Sequence, residues 1–187
     1  MTNPSALNLP PVDPLPDATK RYFDICLDKL GMIPNVLRAH AFDINKLNAF
    51  TLMYNDLMLA DSGLSKLERE MIAVVVSSTN RCWYCQVAHG AAVRQLSGNP
   101  ALGEALVMNW RVARIDDRQK AMLAFAEKAT KTSSEIVESD REALRKHGFT
   151  DRDIFDIASV TGFYNMSNRV ASGIGMEPNP EYHTQAR

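Results

Sequence analysis

Ser65-Lys66-Leu67-Glu68-Arg69-Glu70-Met71-Ile72-Ala73-Val74-Val75-Val76-Ser77-Ser78-Thr79-Asn80 is the stretch on which the fold class turns. Ser65 and Glu68 have the spacing of a capping box, in which each side chain satisfies a backbone donor at a helix start. The run Met71–Val76 pulls the other way, because three successive valines favour a strand. The box and its helical flanks outweigh that run. Propensity differences amount to less than roughly 0.7 kcal/mol per residue, and burial in a core overrides them routinely. A helix is therefore expected here, broken at Asn80.

Helical signals continue in both directions. Asp17 is placed to cap a helix carrying Tyr22, Phe23, Ile25, Cys26 and Leu30 at helical spacing, with Gly31 ending it. Pro34 suits the first turn of a short helix through Leu37, where its missing N–H does no harm. Residues 43–60 repeat apolar positions at Leu47, Phe50, Tyr54, Leu57 and Met58. Beyond the break, a helix from about Cys82 to Leu96 stops at Ser97-Gly98-Asn99-Pro100. Further helices are expected at 101–110, 117–131, 139–147 and 151–172, punctuated by Gly148, Gly173 and Gly175. No strand–turn–strand signal occurs, so the class is all-α. The proline-rich residues 1–16 are expected as an extended arm, 17–175 as a single all-helical domain, and 176–187 as a C-terminal tail.

The chain also echoes itself. A slide of 85 positions pairs Gly63 with Gly148, Ser65 with Thr150, Ile72 with Ile157, Ala73 with Ala158, Val75 with Val160, and Asn80 with Asn165. Cap, apolar face and helix break recur, as in two packed helical units. Chance likeness between amphipathic helices is the competing reading. The second copy carries Phe155, Ser167, Val170 and Ile174 where the first has Glu70, Cys82, Cys85 and His89.

Composition narrows the function. With 187 residues, 45% hydrophobic and 23% charged, the chain can build one sizeable core. A net charge of -1 offers no electrostatic case for nucleic acid or anionic lipid. No apolar run approaches the roughly 18–20 residues of a membrane span, and the first residues lack the pattern of a secretory signal. A cytoplasmic location is expected. Three cysteines, two of them three apart, do not make a secreted disulfide framework. In a reducing compartment such a pair points to redox chemistry or metal binding.

The chemistry concentrates in Glu70 and in Cys82-Trp83-Tyr84-Cys85-Gln86-Val87-Ala88-His89. At about 100° per residue, Cys82, Cys85 and His89 share a stripe roughly 60° wide on one helix face. Cys82, at the helix start, faces unpaired backbone N–H groups that favour thiolate. His89, one turn past Cys85, can exchange a proton with its sulfur. Glu70 lies among apolar neighbours and needs a partner there; His89 is the natural one. Tyr84, between the thiols, could offer an auxiliary hydroxyl. Cys26 reads as core, and His40, His147 and His183 as surface residues. Zinc ligation by the same four residues stays open, although tetrahedral sites usually draw on two separated ligand pairs. So does a helical interaction module that uses them structurally.

The pattern Glu-x11-Cys-x2-Cys-x3-His in an all-helical chain resembles the alkylhydroperoxidase D (AhpD)-like branch of the carboxymuconolactone decarboxylase superfamily. Gly31-Met32-Ile33-Pro34-Asn35-Val36 and Asn165-Met166-Ser167-Asn168-Arg169-Val170 resemble its peroxidase-related subgroup. The resemblance implies an AhpD-like bundle with an internally duplicated core, assembled as trimers or hexamers. It implies thiol-dependent reduction of hydroperoxides without metal or flavin. By the same resemblance Cys85 attacks peroxide, Cys82 condenses with the sulfenic acid, Glu70 and His89 move protons, and an external dithiol or thiol protein restores the pair. One departure stands out: well-studied members carry histidine where this chain has Tyr84, whose ordinary pKa of about 10 makes it a poorer proton carrier. A family member retaining only the fold, without redox activity, is the remaining alternative.

Overall fold

In the computed structural model, which describes residues 3–187, the chain forms α1 (Asp17–Leu30), α2 (Asn35–His40), α3 (Ile44–Leu59), α4 (Lys66–Thr79), α5 (Trp83–Ser97), α6 (Pro100–Asn109), α7 (Asp117–Lys131), α8 (Glu138–Lys146), α9 (Asp151–Gly173) and α10 (Glu181–Thr184). Two short 3-10 turns, Trp110–Val112 and Ser133–Glu135, complete the order, and there is no strand among the described residues. Residues 1 and 2 of the expected arm lie outside them.

The disputed stretch is the central helix of the molecule. In α4 every residue from Glu68 to Ser77 is buried, and the helix packs on α5, α6, α7 and α9. Burying one valine fully gains roughly 1.5–3 kcal/mol, several times its helix penalty. The capping box is present: Ser65 N–H donates to Glu68 Oε2 at 2.8 Å, and Glu68 N–H to Ser65 Oγ at 3.1 Å.

The echo has a structural counterpart. Thr150 and Asp153 form the same box at the head of α9, and α9 packs beside α4. Asn80 Nδ2 donates to Oδ1 of Asn165, its partner in the slide, at 3.0 Å. The break suggested by the echo does not recur, and α9 runs through as the helix expected at 151–172. Asn80 ends α4, whereas Asn165 lies inside α9, its Nδ2 donating to Thr161 O and Thr130 Oγ1. Arg81 turns the first copy with a φ of 55°; the second has helical Met166 at that place.

Other expectations are adjusted. Asp17 is the first helical residue, not the cap, because extended Pro16 occupies that position. Pro34 likewise precedes α2, which runs on to His40. The stretch read as an arm is held down: Ala6 N–H donates to Ile174 O, and Val12 N–H to Ala41 O. The stretch read as a tail carries α10, with Met176 and Asn179 buried. Asn35 explains that burial, since its N–H donates to Asn179 Oδ1 and its Nδ2 to Glu177 O. No helix of the described residues is long and apolar enough to cross a membrane.

Candidate active site

The α4–α5 corner places the cysteines. Asn80 closes α4, Arg81 takes the left-handed conformation, and extended Cys82 becomes the N-cap of α5, its N–H donating to Ser77 O at 2.9 Å. Cys82 and Cys85 are each 1% exposed, and the three cysteines are free thiols. The Cys82 pKa is pushed down to about 6, first by a hydrogen bond from the Cys85 thiol. The Cys85 backbone N–H, Ser172 and the charge of His89 add to this, against the cost of burial. Cys85 shifts the opposite way, held protonated by its bond to Cys82 and by burial. The opposite shifts share one cause, the Cys85 thiol donating to the Cys82 sulfur.

Glu70 reaches the site from α4. Its Oε2 lies 2.7 Å from His89 Nδ1, with the side chains only 10% and 14% exposed. That contact fixes the imidazole and leaves Nε2 for proton exchange. The ring is also held edge-on by Tyr164, with centroids 4.6 Å apart at 77°. The four residues singled out from the sequence therefore meet at one corner: Glu70 pairs with His89, and Cys82 with Cys85.

Cys85 and His89 line a cavity of about 590 Å³; Cys82 does not. Its other walls come from distant parts of the chain, including Ile25 and Leu30 of α1, Phe50 of α3, Phe163 of α9 and Tyr182 of α10. Cys26, read as core, is buried and also lines it. Tyr84 lines it too, but its hydroxyl accepts from Val36 N–H at 3.2 Å and bonds Tyr182. Burial holds the Tyr84 pKa well above its ordinary value, so the phenol keeps its proton at neutral pH and does not relay one. His147 and His183 are exposed as expected, whereas His40 is half-buried, stacked on Phe50 at 4.7 Å.

Reading the sequence missed the polar side chains that contact the sulfurs. Ser167 and Asn168 bond Cys85, and Ser172 bonds Cys82. Asn168 Nδ2 also donates to Ser77 Oγ, and its Oδ1 accepts from Asn80 Nδ2. The signal was available in the run 165–170, which gave a likeness without a role. Among the described residues no group of three or more His, Cys, Asp or Glu side chains is arranged to hold a metal ion.

Comparison with known proteins agrees on lineage. The sequence profile of the carboxymuconolactone decarboxylase family matches residues 47–128. A solved structure of an uncharacterized peroxidase-related protein from Silicibacter sp. TM1040 is 69% identical, with a TM-score of 0.97 over 100% of this chain and 97% of that one. A peroxidase-related protein from Ralstonia eutropha JMP134, described as an alkylhydroperoxidase AhpD core, is 43% identical, with a TM-score of 0.95 over 100% and 98%. The debrominase Bmp8 shares the fold, at 15% identity and a TM-score of 0.79 over 95% of each chain. No curated protein is significantly similar in sequence.

Proposed function

Because the chain belongs to the carboxymuconolactone decarboxylase family, in its AhpD-like branch, we propose that it is a thiol-dependent peroxidase that cycles Cys82 and Cys85 between dithiol and disulfide. The observation that carries this reading is the shared wall of Cys85 and His89 in the cavity, with His89 braced by Glu70 at 2.7 Å.

His89 takes the Cys85 proton, and the Cys85 thiolate attacks the terminal oxygen of a hydroperoxide. The O–O bond breaks, Cys85 becomes a sulfenic acid, and the departing alkoxide takes the proton from His89. Cys82, already ionised near neutral pH, then attacks the Cys85 sulfur and expels hydroxide, which is protonated to water. Two thiols and one hydroperoxide thus give a disulfide, an alcohol and water. An external dithiol or thiol protein returns two electrons; no metal or flavin is needed. Such a cycle suits a reducing compartment such as the cytoplasm.

The chain is proposed to work as a homo-oligomer. Met108, Leu52, Val112 and Phe155 are 81%, 75%, 70% and 67% exposed, and further copies are the proposed cover. Light scattering at the monomer mass alone would remove that part.

The test of the chemistry is intact mass after one equivalent of cumene hydroperoxide. Wild type should lose two hydrogens, with the new bond mapped to Cys82–Cys85. Cys82→Ser should stop at a sulfenic acid on Cys85, trapped by dimedone, and Cys85→Ser should not react. A sulfenic acid trapped on Cys82 instead reverses the roles; unreacted wild type ends the proposal, and zinc retained stoichiometrically through dialysis would favour the binding module.

A further inference from the structure

The cavity that holds Cys85 and His89 carries permanent charge of one sign. Among the described residues that wall it, Lys29 of α1 and Lys66 of α4 are charged, and none is an aspartate or glutamate. Both lysines are exposed, and neither ammonium makes a salt bridge or hydrogen bond with another described residue. The nearest acids of α4 are already engaged. Glu68 caps the helix and bonds Arg118, and Glu70 holds His89.

Helix electrostatics explain one lysine and not the other. Lys29 stands in the last turn of α1, where the partial negative charge of the carbonyls favours a cation. Lys66 is the first residue of α4, where N–H groups already make a positive end and a further cation is disfavoured. An anion at this place would reverse that disadvantage, because it would meet the ammonium and the helix end together.

We propose that Lys29 and Lys66 form a carboxylate-binding subsite at the mouth of the cavity, so that the chain selects ligands with a carboxylate at one end of an apolar body. The apolar body lies against Leu30, Phe50, Leu59 and Phe163, within about 590 Å³. Lys66 and Glu70 are four residues apart on one face of α4, so Lys66 stands one turn, roughly 6 Å, along the helix from the Glu70–His89 pair. The carboxylate is thereby held at the far end of the ligand from the thiol. Water and salt screen exposed ammonium groups, so each lysine contributes modestly and the two act together.

That such a ligand is the substrate rests on the peroxidase reading; that it binds does not. Reduced protein is titrated by calorimetry with octanoate, 1-octanol and octylamine, which share one chain and differ in charge. At low salt, wild type should favour octanoate over the alcohol by about three- to twentyfold, the value of two exposed ion pairs, and should bind the protonated amine least. Sodium chloride at roughly 0.5 M should shrink that preference, a readout that needs no variant. The double variant Lys29→Gln, Lys66→Gln should lose the preference, while its Tm stays level or rises because a cation has left the positive end of α4. Equal binding of octanoate and octanol, no octanoate binding, or a preference that survives in the variant each overturns the proposal. In turnover, octanoate should raise the KM for cumene hydroperoxide more in wild type than in the variant, and an unmoved KM would take the subsite out of the substrate's path. An octanoate preference in a protein whose thiols are inert to any peroxide would sink the peroxidase reading and leave the subsite standing.

Discussion

The carboxylate of Glu70 lies 2.7 Å from Nδ1 of His89, across the α4–α5 interface and nineteen positions away in sequence. Burial keeps water from competing, so the pair sets the tautomer and direction of the ring that faces the cavity. Glu70→Gln preserves shape but removes the charge that holds an imidazolium. We expect the rate of thiol oxidation by cumene hydroperoxide to fall by about 10²-fold, the lower range for losing acid–base assistance. Stopped-flow thiol consumption measures it, and an unchanged rate would detach Glu70 from the chemistry.

Cys82 gives a pH signature. Its thiolate, followed by ultraviolet absorbance in Cys85→Ser and in wild type, should titrate near pH 6 in wild type and higher in the variant, which lacks the Cys85 thiol bond. In the folded chain the pKa lies below the unfolded value of about 8.5, so unfolding between those values takes up a proton. Stability from this group is full above the unfolded pKa and is lost as pH falls through about 6. Urea midpoints of wild type and Cys82→Ser should therefore differ more at pH 8 than at pH 5.5.

Asn168 joins α9 to α4 through Ser77 and Asn80 and also bonds Cys85. Asn168→Ala strands these buried groups and should cost roughly 2 kcal/mol. Denaturant unfolding checks the figure. A loss below about 0.5 kcal/mol, the floor for one net hydrogen bond, would mean the network relaxes at no cost.

Tyr84 stands where the family resemblance implies a histidine. Its hydroxyl is taken up by Val36 N–H and Tyr182. Tyr84→Phe should lower stability by about 1 kcal/mol and leave the shape of the pH–rate profile unaltered. A lost limb in that profile would give the phenol a proton-transfer role.

Gly63 sits against the Asp153 carboxylate that caps α9. A methyl at Gly63→Ala collides with it and should displace the cap, costing about 1–2 kcal/mol in thermal unfolding.

The local features were legible because they depend on short range. Ser65 with Glu68 and Thr150 with Asp153 cap their helices as the spacing predicts, and Gly31 ends α1 in the left-handed conformation. Even the valine run yielded to its flanks. The likeness in 165–170 was visible, but not that Ser167 and Asn168 bond a sulfur on another helix. Asn165, a break only in the echo, stays inside α9 because a side chain that caps one helix can, inside another, bond the carbonyl a turn earlier.

By itself the sequence determined the helices and the register of Cys82, Cys85 and His89, since a turn of backbone fixes neighbours three and four apart. Tertiary packing decided the opposite shifts of the two thiols, that Glu70 meets His89, and that Cys26, Tyr164 and Tyr182 share one cavity with Cys85. Those outcomes depend on desolvation and on contacts between segments far apart in the chain, and no local pattern encodes either.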